Sequence, residues 1–399
     1  MDELLALLLR ARREPTARRA VEARAAAGQI DWESLIETAR IERISPLLHD
    51  TFSDALFLPA AVADSWQRAY RGTSLSYVVW SSALSRIATA LSSRDVRFIV
   101  LKGAALAETV YEKPSLRPLA DIDVLVPREC VGTTVEVLQA NGYLPPRAAE
   151  SEDYTLHFEN ELAISPRNPI GVAIDLHWSL LDSPYYQRAL SHDWFWESSV
   201  PFRGYGAARA LGPEAQLLHL SAHLMVHHHG KGALWLYDIV ELLRSCRDRL
   251  DWDRVFEEAR RCELVQSLQQ TLERATSELG AEVDPHRLAQ LSQLSASAEE
   301  RRVFAYPTIG VARAEHFWND VITIANWRTR TAYVAHRLLP APAFMRRRYG
   351  LGSSAWLPLY YPYRWLFGAW RLLGVLVSRL ARRIQRDTNA GLQERGKHD

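Results

Sequence analysis

Phe98–Pro127 reads FIVLKGAALAETVYEKPSLRPLADIDVLVP and sets two acids, Asp121 and Asp123, two residues apart in a largely apolar run. In a strand, residues two apart project to the same face. DIDVLV (Asp121–Val126) would therefore point both carboxylates one way and Ile122, Val124 and Val126 the other. Two ionised carboxylates on one face repel unless a cation lies between them. Hard oxygen donors suit Mg2+, which is commonly held by one or two carboxylates together with substrate phosphates. The pair reads as half of a divalent-metal site.

The complementary half lies upstream. FIVLKGAALAETVY is an apolar strand, a glycine, and then a run of good helix formers from Ala104. Gly103 permits close backbone approach, and the first amides of a helix present donors and the positive dipole end to an anion. The order predicts a phosphate cradle at Gly103 and Ala104, with Lys102 in reach of the same phosphates. Lysine is scarce: of 48 basic residues, only Lys102, Lys113, Lys231 and Lys397 are lysines. A compact ammonium is thus singled out beside glycine at Lys102 and again at Lys231. For Lys231 the readings are a phosphate contact or a plain surface turn.

Downstream, GVAIDLHWSL (Gly171–Leu180) is a second strand pattern, with Asp175 and His177 on the face opposite Ile174 and Leu176. Asp175 would complete the metal set or accept the proton of an attacking hydroxyl. VRFIVL (Val96–Leu101) is a further short strand, TTVEVLQANGY a helix ended by Asn141–Gly142, and YTLHFENELAIS (Tyr154–Ser165) one more strand or hairpin. Helical periodicity dominates before about residue 92 and returns from about Leu211. The organisation is then a helical region 1–92, an α/β core 93–205, a helical region 206–345, and an aromatic, Arg-rich helix and tail 346–399.

With these pieces in place, the chain resembles the nucleotidyltransferase superfamily typified by DNA polymerase beta. The shared features are a glycine opening a helix, an Asp-x-Asp strand, and a third acid on a later strand. More closely, LKGAALAETVYEKPSLRPLADIDVLV, AIDLHWSL and HLMVHHHGKGALWLYDIVELL are similar to an uncharacterised bacterial nucleotidyltransferase family met beside peptide and polysaccharide biosynthesis genes. That family's positions fall here on Arg117, Asp121, Asp123, Asp175, His177, Trp178 and Asp238, within roughly residues 80 to 250. The resemblance implies an α+β fold, a small mixed β-sheet core flanked by N-terminal and C-terminal helical regions. It also implies two Mg2+ ions, with Mn2+ as the substitute, at Asp121, Asp123 and Asp175.

A nucleoside triphosphate (ATP among the candidates) would bind there, and an acceptor hydroxyl or phosphate would attack its α-phosphorus in line, releasing pyrophosphate. Arg117 would assist phosphate binding, while His177, Trp178, Lys231 and Asp238 would line or order the pocket. One departure stands out. The superfamily commonly has Gly-Ser at the helix opening, where this chain has Gly103–Ala104, so backbone amides and Lys102 would carry that contact. The departure motivates the alternative of a nucleotide-binding accessory protein without turnover.

The chain has 399 residues, 48% of them apolar and 24% charged, with a formal charge of +1. It reads as folded, with more than one core's worth of residues. The near-neutral charge argues against long nucleic acid and leaves small molecules, peptides and proteins as acceptors. Cys130, Cys246 and Cys262 have no metal or redox spacing and suit a reducing cytoplasm. The opening MDELLALLLRARREP lacks a basic n-region and small-residue cleavage site.

His219, His223 and His227 recur every four residues, which on an α-helix lines one face, and His228 and His229 follow. Interhelical packing, a substrate-pocket wall and a zinc site are the three readings. A zinc hydrolase would want Glu in the HExxH position, and Leu220, Ser221 and Ala222 stand between the first two histidines. In the tail, WLFGAWRLLGVLVSRLARRIQ (Trp365–Gln385) is apolar with arginines interleaved. It reads as a helix docked on the body or as an interfacial helix on anionic lipid, a peripheral membrane contact.

Overall fold

The structure, a computed structural model, describes residues 1–145, 158–190, 192–305, 317, 320–324 and 326–370. They form two compact units. One holds the described residues through Ala305 apart from Phe158, and the other holds Phe158, Phe317 and the described residues after it. The division falls inside the 206–345 stretch.

The first unit opens with five helices, α1 (Glu3–Arg10), α2 (Pro15–Ala26), α3 (Trp32–Ile41), α4 (Ser45–Phe52) and the long α5 (Ala60–Ser92). Their starts follow local chemistry. The side chain of Asp2 accepts from the amides of Leu4 and Leu5, and that of Asp31 from Ser34, satisfying donors that a helix N-terminus leaves open. Proline occupies the first turn of α2 and α4, where its missing N–H costs nothing.

The sheet follows. Its strands are β1 (Ile99–Val100), β2 (Asp121–Leu125), β3 (Glu161–Ile164), β4 (Ala173–His177), β5 (Val200–Pro201) and β6 (Arg209–Ala210). They lie in the order β3-β4-β2-β1-β6-β5. The pairs β2/β4 and β1/β6 are parallel, whereas β1/β2, β3/β4 and β5/β6 are antiparallel. The fold is α+β with a small mixed sheet flanked by helices, as expected. VRFIVL narrows to the two residues of β1, and the second half of YTLHFENELAIS supplies β3; residues 154–157 lie outside the described residues. Between strands sit α6 (Lys102–Thr109), α7 (Val131–Ala140), α8 (Pro184–Ala189) and α9 (His192–Glu197).

After the sheet come α10 (Pro213–Ala222), a π-helical turn over His223–His227, and α11 (Ala233–Ser245). Then follow α12 (Trp252–Arg261), α13 (Val265–Leu279), α14 (Pro285–Ser292) and α15 (Ala298–Ala305). Gly280, at φ +68°, closes α13 in the left-handed conformation that a glycine cap adopts readily. Leu5, Leu8 and Leu9 of α1 belong to the same buried cluster as Leu268, Leu272 and Ala275 of α13. The N-terminal and later helices therefore share one core. The sheet joins it through Ile99, Leu101 and Leu125, so the acid-bearing face of β2 is turned toward these helices.

The second unit contains α16 (Trp327–Leu338), α17 (Pro342–Tyr349) and a helix over 357–370. Its small core gathers Val321, Ile324 and Tyr333, with Phe158 and Phe317 packed on it. Among the described residues, no helix is long and apolar enough to cross a membrane.

Candidate active site

Parallel pairing of β2 with β4 sets Asp123 opposite Asp175 and Leu125 opposite His177. Antiparallel pairing of β3 with β4 sets Glu161 opposite His177. Because strand side chains alternate, Asp121, Asp123, Asp175, His177 and Glu161 share one face. Glu161 was not singled out from the sequence; its segment carried no motif, and only the strand register brings it here.

Asp123 is the hub. The Lys102 ammonium donates to Asp123 Oδ1 at 2.7 Å, and His177 Nε2 lies 2.9 Å from the same oxygen. On the other side of the imidazole, Glu161 Oε2 is 3.2 Å from His177 Nδ1, without hydrogen-bond alignment. Burial alone would raise the Asp123 carboxyl, but Lys102 and His177 outweigh it and hold it well below the usual range. Lys102 shows the same balance in reverse. Burial opposes its charge, and Asp123, Glu161 and Asp121 together keep it above its ordinary value.

At Asp121 the charges of Lys102, Arg43 and Arg117, and at Asp175 that of His177, do not outweigh burial and carboxylate repulsion. Burial, then Asp123, raises Asp121. Burial, then repulsion from Asp121, Asp123 and Glu161, pushes Asp175 up to about 6. An excess of carboxylate on one half-buried face, with one lysine as its internal cation, is a donor set that fits a hard divalent ion. Asp121, Asp123 and Asp175 are the residues that would hold it.

The strand-to-helix turn differs from the expected cradle in an instructive way. The left-handed residue is Lys102, at φ +46°, and not Gly103. A left-handed non-glycine residue costs roughly 1–3 kcal/mol and persists where surrounding structure enforces it. Here the backbone turn aims the Lys102 side chain at Asp123. What approaches Gly103 is protein: a Cβ there would stand 2.5 Å from Leu119 Cδ2 and 2.9 Å from Arg117 Nη1. Ala104 is buried, with 1% exposure.

Arg117 and Asp238 form a second cluster beside the first. The Arg117 guanidinium donates from Nε and Nη2 to the two Asp238 oxygens, both at 2.7 Å, and from Nη1 to the Pro118 carbonyl at 2.6 Å. The Tyr111 hydroxyl donates to Asp238 Oδ1 at 2.7 Å. Asp238, on α11, thus orders the arginine that precedes the Asp-x-Asp strand. Arg43, between α3 and α4, donates to the Pro118 carbonyl at 3.1 Å and lies within the field of Asp121. No local pattern marks Arg43, which reaches this loop only through the fold.

The remaining candidates are spread more widely. Trp178 is buried, its Nε1 without a partner among the described residues, and its amide donates to the Asn160 carbonyl at 2.9 Å. Lys231 is exposed in the turn before α11. His219 is buried with both ring nitrogens unpartnered among the described residues, and burial, then the charges of Lys102 and His177, lowers it to about 3. A neutral imidazole therefore stands within the field of the Lys102–Asp123–His177 group.

A small mixed sheet carries three converging carboxylates beside a strand–helix turn, a donor set that could hold a divalent cation. The model of a family described as uncharacterised nucleotidyltransferase matches residues 28–280, more than half of the chain, and the chain belongs to that family. The match begins just after α2 and runs through Gly280, so it takes in α3 to α13 as well as the sheet and the acids. No curated protein sequence matches the chain. Family membership supports transfer of a nucleoside monophosphate as the general reaction.

Proposed function

We propose that this protein is a Mg2+-dependent nucleotidyltransferase that moves a nucleoside monophosphate from a nucleoside triphosphate to a hydroxyl or phosphate of a small-molecule, peptide or protein acceptor. The observation that carries the reading is the convergence of Asp121, Asp123 and Asp175 on one sheet face, with Asp175 opposite Asp123 in the ladder. Bound Mg2+, or Mn2+ in its place, would neutralise triphosphate charge and relieve the repulsion among these carboxylates.

The chain's own groups supply the rest. Lys102, already directed at Asp123, is placed to turn its ammonium toward a phosphate that enters the face. Arg43 adds a second cation near Asp121. The acceptor oxygen bonds to the α-phosphorus while the bond from that phosphorus to the bridging oxygen breaks. The electron pair departs with pyrophosphate, and an acceptor hydroxyl's proton passes to the Asp175 carboxylate acting as general base. His177 holds Asp123 in place, with Glu161 on the far side of its imidazole, and neither takes a proton in this scheme. A cytoplasmic setting, where nucleoside triphosphates are abundant, is the one this reaction needs.

The test is Mg2+-dependent pyrophosphate release from a nucleoside triphosphate with an acceptor panel. We expect Asp123→Ala to reduce it by at least a hundredfold, in line with loss of a charge-stabilising group. Protein that neither binds nucleotide with Mg2+ nor depends on Asp123 would overturn the reading. Binding without turnover is the second reading, favoured by Lys102 already neutralising Asp123 and by Ala104 standing where a hydroxyl is usual. Calorimetric nucleotide affinity with no release across the panel would select it.

A peripheral membrane contact through the C-terminal helix is a separate proposal; of the Trp365–Gln385 stretch that motivates it, residues 371–385 lie outside the described residues. Leu359, Tyr363, Leu366 and Trp370 are exposed on the 357–370 helix, and Arg346, Arg347 and Arg348 are exposed at the end of α17. Exposed aromatic and aliphatic groups beside arginines match an anionic interface. Co-sedimentation with phosphatidylserine vesicles should fall when residues after Met345 are removed, and unchanged binding would sink the idea.

A further inference from the structure

The histidines lie differently from an α-helical reading. At α10 the helix passes into a π-turn, and the His228 amide bonds to the His223 carbonyl at 3.1 Å, an i→i+5 closure. A turn that closes over five residues places the fourth and fifth residues on either side of the first. His227 and His228 therefore both return to His223, and His219 is left behind in the core. One ring nitrogen each of His223, His227 and His228 lies within 4.8 Å of the others.

We propose that these three imidazoles form a site for a borderline transition cation of the Zn2+ class, separate from the carboxylate face. The site is built in layers. His223 is buried, His228 partly so, and His227 exposed. The His228 ring is stacked on Trp235 at 3.4 Å between centroids and 12° between planes, and His223 meets the same indole edge-on. Trp235 can fold back over the turn only because Gly232, at φ +106°, carries no Cβ to collide with it.

The His223 and His227 rings stack, 5.3 Å apart and 11° from parallel. Zinc binds imidazole nitrogen at about 2.0–2.1 Å and is tetrahedral, so ligand nitrogens stand roughly 3.3 Å apart. Rotation of the exposed His227 ring supplies the closure. Three nitrogens leave a fourth position open on the His227 side, available to water or to an anionic ligand. Nitrogen donors select against Mg2+, which favours oxygen, so the two sites would take different ions.

The experiment uses the full chain, without a histidine tag and stripped by chelator. It measures Zn2+ by equilibrium dialysis with metal analysis, in millimolar Mg2+, and the visible spectrum with Co2+. We expect one equivalent of Zn2+ at micromolar free metal, Co2+ bands of low-coordinate nitrogen ligation, and affinity at least tenfold weaker in His227→Ala and in His228→Ala. Asp123→Asn should retain full Zn2+ stoichiometry, so failure of the nucleotidyl-transfer reading leaves this one intact. Because His227 is exposed, its replacement leaves the fold in place. Sub-stoichiometric Zn2+, or wild-type affinity in both histidine variants, would overturn the proposal.

Discussion

Lys102 and Gly103 divide between them two demands that would usually fall on one glycine. Lys102 takes the left-handed backbone, and Gly103 takes the close contact, with Leu119 and Arg117 packed where its Cβ would be. Gly103→Ala should therefore destabilise the fold by roughly 1–3 kcal/mol, the range for overpacking. The half-buried Leu119 tip can give way more readily than Arg117, which is locked on Asp238. Leu119→Ala in the Gly103→Ala background should recover part of the loss in denaturant unfolding; no recovery would place the strain on Arg117. From the sequence, Gly103 was legible as a close-approach position, but the approaching partner was not. Nothing local to LKGAAL specifies that a loop sixteen residues later lies upon it.

At the level of elements, the Arg117–Asp238 pair ties the loop before β2 to α11. The Arg117 and Asp238 side chains are 4% and 0% exposed, so neither charge can turn to water. Removing one partner of a buried pair is worth about 3–5 kcal/mol because the other charge is stranded. Asp238→Ala should cost that much in chemical unfolding. Arg117→Met with Asp238→Leu should be far milder than the sum of the single changes, and additive losses would show that the pair is not coupled. The elements themselves were largely readable, because apolar spacing and the Asn141–Gly142 stop are local signals. The π-turn was not, since HLMVHHH keeps a helical pattern and only the backbone bonding reveals the slower winding.

For the whole molecule, the acid face links stability, pH and cation. Asp175 is raised from an ordinary carboxyl near 4 to about 6 in the fold. Its contribution is fully present below about pH 4 and is lost as pH rises through about 6. Asp123 is depressed, so its contribution is present above about pH 4 and is lost as pH falls toward its folded value. The cation-free chain should thus be favoured in mildly acid solution with respect to these two groups. Added Mg2+ should raise the melting temperature more near pH 8 than near pH 5, because the ionised carboxylates are the form that binds. In Asp175→Asn this difference should shrink. An equal Mg2+ effect at both pH values would argue that the ion binds elsewhere.

Residues alone determined that the chain alternates between helical and strand patterns, that two acids two residues apart share a face, and that a third follows on a later strand. These are local periodicities, and a strand's two-residue repeat carries them without knowledge of any neighbour. Tertiary structure decided which strands lie side by side, and hence that Asp175 opposes Asp123, that Glu161 joins the group through β3, and that Lys102 closes on Asp123. It likewise paired Arg117 with Asp238 across 121 residues of chain and brought Arg43 to the same loop. The physical reason is common to all of them. Charge pairing depends on distance in space, which a linear spacing leaves open until strand register and helix packing close it.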